Sequence, residues 1–262
     1  MQPVSVYIIT KNEAQRIGRA VCSVVEWADE VIVVDSGSTD DTVAIAASSG
    51  ARVLHRDWNG YGPQKRFAED QCRNDWVLNI DADEEVTAEL AKEIQSAVDH
   101  AADDIAAFKL RITDLLPGET RLAPFAYSYH VLRLYNRQRG NMSIHPYQDR
   151  VEIASGRVKS LRGRILHHSF VSWSKTTEKL NFYTSEVGDT RAAAGKIPSV
   201  LRVWFEFPAT FLKMWLLRRF IFRGTMGFAI SLNVSWLNVL RLLKTRESAT
   251  AATQAKNHRN AA

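Results

Sequence analysis

The sequence predicts an α/β protein built on a doubly wound sheet, and three observations carry that prediction. Strand and helix patterns alternate through the first 55 residues. A buried strand at residues 76–80 (W-V-L-N-I) runs into two aspartates, Asp81 and Asp83, one residue apart. After Ile197 the composition turns basic and aromatic. Alternating strand and helix implies a parallel sheet with right-handed crossovers. In such sheets ligands bind at the carboxyl ends of the strands.

Residues 4–9 (V-S-V-Y-I-I) form an apolar, β-branched run and read as the first strand. T-K-N-E follows at residues 10–13, then Ile17, Val21, Val24 and Val25 recur at helical spacing, which predicts a helix over 12–27. Residues 31–34 (V-I-V-V) are the second strand and end on Asp35. Ser38 or Thr39 suits the N-cap of the next helix, and Ser49-Gly50 stops it. Val53-Leu54 is a third short strand. An acid placed like Asp35 can hydrogen-bond a nucleoside or cap the following helix. The turn after the first strand holds no glycine, which argues against a dinucleotide fold.

Residues 56–66 (R-D-W-N-G-Y-G-P-Q-K-R) read as a loop, with Trp58 and Tyr61 suited to sugar stacking or to anchoring the loop. A helix opens at Pro63 or Gln64, and Lys65 on its first turn can meet a diphosphate or simply face solvent. The D-A-D-E-E run at 81–85 is a hard-oxygen cluster suited to Mg²⁺ or Mn²⁺ and a phosphate-bearing substrate. Alone, it can equally cap a helix. An amphipathic helix over 87–101, strands at 107–112 and 130–135, and a proline-bearing excursion over 113–129 with the look of a lid follow. Residues 140–146 read as a turn-rich loop. Asp149 is the notable acid of the next segment, in a loop just before a strand at 151–153, where it can also simply pair with Arg150. His167 and His168 end a further strand and are open to metal ligation or to packing.

At 262 residues, 45% hydrophobic and 24% charged, the chain is long enough for a sizeable core. Cys22 and Cys72 give neither a disulfide framework nor metal-ligand spacing, and no signal-peptide pattern opens the sequence, so the expected compartment is the cytoplasm. The net charge of +5 is uneven: residues 196–246 hold nine Lys/Arg and one acid, a balance of +8, leaving −3 for the rest. That excludes a nucleic-acid surface over the whole chain and points to one local anionic partner. Residues 199–222 carry Trp204, Phe205, Phe207, Phe211 and Trp215 among basic residues, and 224–240 is uncharged but polar enough to be marginal as a span. An amphipathic segment lying in the membrane interface fits that pattern; a helical subdomain or dimer face is the alternative. The expected organisation is a catalytic domain over 1–195, the basic aromatic segment over 196–246, and a disordered tail over 247–262.

V-S-V-Y-I-I-T-K-N-E, A-D-E-V-I-V-V-D-S-G-S-T-D-D-T, N-G-Y-G-P-Q-K-R-F-A and D-W-V-L-N-I-D-A-D-E, in this order, resemble family 2 glycosyltransferases of the GT-A fold. Within that family the chain is similar to bacterial lipopolysaccharide-core β-glycosyltransferases that add glucose to inner-core heptose. The resemblance implies a nucleoside pocket of Thr10, Asn12, Glu13 and Asp35, with Asp35 on the base and Lys65 near the nucleotide. It implies that Asp81 contacts the ribose or the metal, and that Asp83 coordinates the Mg²⁺ or Mn²⁺ bridging the diphosphate. Where relatives show V-H-E with the glutamate as base, this chain shows Y-Q-D, so Asp149 takes that place, while His145 does not align. His167 matches a family histidine, and an acid is expected at Glu84. The implied reaction is inverting hexose transfer, glucose from UDP-glucose in the first instance, to a lipid-linked saccharide at the inner membrane surface. A polyprenyl-phosphate sugar transferase shares these motifs. A haloacid-dehalogenase-type phosphatase is disfavoured by Glu84-Glu85 after the second aspartate, and a non-catalytic adaptor by the presence of Asp83 and Asp149.

Overall fold

The computed structural model describes residues 2–116, 119, 122–123, 125–145, 149–168, 170 and 172–261. Residues 146–148 and parts of the expected lid at 113–129 lie outside them. The chain divides into two compact units. The first comprises Met1–Asp114 and Ser128–Ser169, the second Leu115–Tyr127 and Phe170–Ala262.

The first unit holds one eight-stranded sheet of order β3-β2-β1-β4-β7-β6-β10-β5. Its strands are β1 (Val4–Thr10), β2 (Glu30–Asp35), β3 (Arg52–His55), β4 (Trp76–Asn79), β5 (Glu84–Val86), β6 (Ile105–Asp114), β7 (Ser128–Asn136) and β10 (Arg157–His167). The first four pair in parallel, β7 runs antiparallel to β4 and β6, and β10 runs parallel to β6. β1, β2 and β4 are buried almost throughout, which is why they read as continuous apolar runs and not as alternating ones. Helices α1 (Ile17–Cys22), α2 (Thr42–Ser48), α3 (Tyr61–Asp70) and α4 (Ala88–Asp99) complete the unit. Only residues 80–83 separate β4, in mid-sheet, from β5 at the far edge. Four residues span at most about 14 Å. The sheet must therefore curl until its β5 edge returns to the end of β4, and this brings the ends of β6 and β10 beside Asp81 and Asp83.

Three local differences from the sequence expectations have physical reasons. The helix expected over 12–27 shortens to Ile17–Cys22 because Asn12 takes φ +55 and turns towards the loop after β2. Ser38 and Thr39 do not cap α2, whose N-cap position is Asp41; both are bonded to Asn12 instead. The expected loop at 140–146 contains β8 (Gly140–Met142), paired antiparallel with β9 (Val151–Ile153) as a separate ribbon.

The second unit is helical: α5 (Trp173–Ala193), α6 (Val200–Leu212), a π-helical turn (Lys213–Leu217), a 3₁₀ turn (Phe220–Arg223) and α7 (Gly224–Ala261). α7 runs on through the segment for which the sequence predicts a disordered tail. Phe207, Phe211 and Trp215 stack along one face of α6 and the turn after it, and Phe228 of α7 meets Phe211 and Trp215 edge-on. α6 itself has no buried residue.

Candidate active site

Parallel register sets Thr10 beside Asp35, so the first two strands end level with each other. The loops that follow are laced together. The Asn12 amide N–H donates to Ser38 Oγ (2.8 Å), Asn12 Oδ1 accepts from the Thr39 N–H (2.8 Å), and the Glu13 N–H donates to Thr42 Oγ1 (2.7 Å). Asp35 accepts from the N–H groups of Gly37 and Ser38, both at 2.9 Å, and from Ser38 Oγ at 2.5 Å. It thus shapes the turn after β2, and Gly37 meets that turn with φ +84. Thr10 Oγ1 and Gln64 Oε1 are buried with no hydrogen-bond partner among the described residues. Buried polar atoms of this kind are costly unless water or a ligand satisfies them.

α3 starts at Tyr61, earlier than the sequence expectation, because Gly60 at φ +97 turns the chain into it. Lys65, one turn on, is 1% exposed. Its Nζ lies 2.7 Å from Asp81 Oδ1 and 2.7 Å from Asp149 Oδ2. Arg133 of β7 grips the other side of Asp81 at 2.7 Å, and also donates to Asn79 Oδ1 (2.5 Å) and Glu84 Oε1 (3.2 Å). Burial alone would raise the pKa of Asp81, but Arg133 and Lys65 outweigh it and hold the carboxyl well below the usual carboxylate range. Glu84 is buried and its Oε2 accepts from the Asp81 N–H at 2.8 Å, so it folds the D-A-D-E turn. Burial pushes the Glu84 carboxyl upward against the pull of Arg133. Asp149 pairs with Lys65, whereas Arg150 pairs with Glu152.

Asp83 faces different partners. Its Oδ2 accepts from Arg16 Nη1 (3.1 Å), and its Oδ1 lies 3.5 Å from His167 Nε2. His167 Nδ1 is 2.7 Å from Asp114 Oδ1. Burial disfavours the charged imidazole, yet Asp114 and Asp83 together push the His167 pKa up to about 10. Burial would likewise raise Asp83, but His167 and Arg16 bring it below its ordinary value. Asp83 and His167, with 3.5 Å between Oδ1 and Nε2, are the residues that would hold a divalent ion here once the imidazole is neutral. A histidine whose second nitrogen is held by a carboxylate is the usual arrangement at such sites. Among the described residues no three His, Cys, Asp or Glu side chains converge as a cage. Mg²⁺ is commonly held by one or two carboxylates plus substrate phosphates, so the pair is sufficient on the protein side.

The structure therefore joins Lys65, Asp81 and Asp149 by direct contact, and Thr10, Asn12, Glu13 and Asp35 through the two laced loops. Asp83 belongs to a separate cluster with Arg16, His167 and Asp114. Arg16, Asp114 and Arg133 escaped the sequence reading. Arg133 had left a signal: a lone arginine inside the apolar strand H-V-L-R-L-Y. Nothing comparable marks Arg16 or Asp114.

A curled mixed sheet with an acidic turn after its fourth strand defines a GT-A glycosyltransferase. The family model for glycosyl transferase family 2 matches residues 5–162, and the chain belongs to that family. An uncharacterized glycosyltransferase of Rickettsia typhi is 40% identical over 257 residues, covering 94% of this chain and 88% of its own length. The lipopolysaccharide core biosynthesis glycosyltransferase LpsC of Rhizobium meliloti is 31% identical over 233 residues, covering 86% of this chain and 85% of its own. Among solved structures, glucosyl-3-phosphoglycerate synthase of Mycobacterium tuberculosis, in complex with Mn²⁺, UDP and phosphoglyceric acid, is similar at a TM-score of 0.45 and 17% identity, over 70% of this chain and 76% of that one.

Proposed function

We propose that this glycosyltransferase moves a hexose, glucose from UDP-glucose in the first instance, with inversion onto a lipid-linked saccharide of the lipopolysaccharide-core type. The observation that carries the reading is the Lys65 bridge, because it holds the Asp81 end of the acidic turn and Asp149 on one ammonium. The similarity to LpsC supports the acceptor class, and the resemblance of the N-terminal motifs to family 2 enzymes supports the donor.

In this reading Thr10, Asn12, Glu13 and Asp35 line the nucleoside pocket, with Asp35 towards the base. Asp83, with His167, would hold Mg²⁺ or Mn²⁺, and Asp81 would face the ribose or support the metal from its cation-clamped position. Such an ion, when bound, would supply stabilisation of the charge left on the departing diphosphate. Asp149, with 44% of its side chain exposed, accepts the proton of the acceptor hydroxyl as that oxygen attacks the anomeric carbon. Lys65 keeps that carboxylate in place. A single base and in-line displacement invert the anomeric centre.

We also place the enzyme peripherally on the inner membrane, where a lipid-linked acceptor resides. The outward apolar side chains of the second unit support this: Leu201, Trp204, Phe205 and Leu217 are each at least 66% exposed. One helix, Phe220–Ala252, is long and apolar enough to cross a membrane by length and composition, with mean hydropathy 1.3. Ser231, Ser235 and Thr245 are buried within the unit, which favours a helix lying at the interface.

The test is a donor screen by calorimetry with UDP-, GDP- and ADP-sugars in Mn²⁺, followed by transfer assays of Asp83→Asn and Asp149→Asn. Both variants should stay folded and lose transfer; Asp149→Asn should still bind donor. Near-normal turnover by Asp149→Asn removes it as the base.

A further inference from the structure

Away from the acidic turn, three strands carry an unexplained row of cations. Arg111 of β6 lies directly across from Arg164 of β10 on one side and from His130 of β7 on the other. Residues opposite each other in register share a sheet face, and like charges so placed are destabilising. Among the described residues, none of the three makes an ion pair. Lys109, two residues before Arg111 on the same face, adds to the positive charge. Arg111 Nε is buried with no hydrogen-bond partner among the described residues. Burial, together with the neighbouring Arg111 charge, pulls the Arg164 pKa down.

An irregularity in β10 decides which arginine completes the row. β10 breaks register with β6 between Ser160 and Arg164. That irregularity is pinned by Glu93 of α4, which accepts from the N–H groups of Arg162 and Gly163 (2.7–3.0 Å). A Cβ at Gly163 would stand 2.6 Å from Leu90 Cα, so the close packing of α4 requires glycine. The irregularity sets Arg164 opposite Arg111, where unbroken register from the Ser160–Lys109 pair would set Arg162. Bulges beside active sites commonly re-aim a side chain in this way. Two guanidinium groups, an imidazole and an unmet buried N–H together make a surface for an oxyanion, which Arg binds through paired hydrogen bonds.

We propose that Arg111, Arg164 and His130 form a binding site for a phosphate carried on the acceptor saccharide. The inference rests on the reading of the chain as a saccharide transferase and deepens it by naming the acceptor's charge. Arg111 and Arg164 each lie three residues before the Asp114–His167 pair on the same strands, about 10 Å along them, and this odd spacing sets the row on the opposite sheet face, where Leu132 packs in the cluster that holds Ala68 of α3. A phosphate seated there, on the face that α3 with its Lys65–Asp149 contact packs on, would anchor another part of the acceptor without competing for the donor's metal.

The experiment has two arms. In the first, inorganic phosphate is titrated against the full chain by thermal shift. Wild type and Asp83→Asn should gain stability, whereas Arg111→Met and Arg164→Met should not; without phosphate the two arginine variants should be at least as stable as wild type. No gain in wild type, or an equal gain in the arginine variants, overturns the site. In the second arm, transfer is measured to a core oligosaccharide before and after phosphatase treatment. The arginine variants should raise KM for the phosphorylated acceptor about tenfold with kcat unchanged, as expected for one lost charge-assisted contact, and leave the treated acceptor unaffected. Equal KM values for both acceptors in wild type overturn the assignment to the acceptor. A wild type that shows the phosphate shift but transfers nothing brings down the transferase reading and leaves the anion site standing.

Discussion

Lys65 and Asp149 are 84 residues apart in sequence and 2.7 Å apart in space. The lysine is fully enclosed, and the aspartate keeps 44% of its side chain open. A buried ammonium needs its counter-charges, since an isolated one would be neutralised. Its two carboxylate contacts supply them and tie the acidic turn to the proposed base.

Replacing Lys65 by Met removes the shared cation and leaves Asp81 with Arg133 alone. Breaking a buried pair by removing one partner typically costs about 3 kcal/mol or more, while the exposed Asp149 side, screened by water, contributes little of that. Urea unfolding of Lys65→Met should show a loss of about 3 kcal/mol, together with loss of transfer. A stability change under about 0.5 kcal/mol would mean the bridge is not formed in solution.

Gly62→Ala tests how closely α3 supports the loop that leads to Asp149. Alanine is the better helix former by about 1 kcal/mol, so local propensity alone predicts stabilisation. A Cβ at this position, however, would stand 2.4 Å from His145 O and 2.5 Å from Ser143 O, and neither backbone oxygen can swing away. Sterics should win: the variant should keep donor binding but lose transfer, measured by calorimetry and turnover on the same preparation.

How much of this was legible in the sequence follows from which forces are local. The β1, β2 and β4 strands and the D-A-D turn were readable because a doubly buried strand and an acidic strand end leave signatures within a few residues. The role of Glu84 was not, since it depends on a bond to the Asp81 N–H and on Arg133 of β7. Pairings across the curled sheet, such as His167 with Asp114, lie 53 residues apart and leave no periodicity. Ser38 and Thr39 looked like helix caps because capping chemistry is the same chemistry that ties two loops together; only the position of Asn12 decides between the two uses.

The Asp83–His167–Asp114 cluster predicts opposite pH responses at its two ends. Asp83 is held below its ordinary 3.8, so its contribution to stability is present above that value and is lost as pH falls through the lowered one. His167 is raised from 6.5 to about 10, so its contribution is complete below 6.5 and is lost as pH rises through about 10. Thermal denaturation should show stability declining across this alkaline window in wild type and a flatter profile in His167→Gln. A metal needs the neutral imidazole, so Mn²⁺ binding near pH 7.5 should release a proton. Calorimetry in buffers of different ionisation enthalpy should detect it, and no proton release would remove His167 from the proposed metal site.

The second unit offers a direct test of membrane association. α6 buries none of its residues, and Trp204 and Leu217 are 75% and 76% exposed. A helix apolar on so many sides needs a lipid or protein surface against it. The nearby Lys213, Arg218 and Arg219 make an anionic bilayer the better match, at about 1 kcal/mol per basic residue near the surface. Deleting 199–262 would also remove α7, which packs on α5, so substitutions isolate the effect better. Each large apolar side chain transferred from water contributes about 2 kcal/mol. Trp204→Asp with Leu217→Asp should therefore lower partitioning onto phosphatidylglycerol vesicles by at least about a hundredfold, with transfer to a soluble acceptor unchanged. If the double variant still sediments with vesicles but changes a dimer into a monomer, the exposed face is a contact between two copies of the chain.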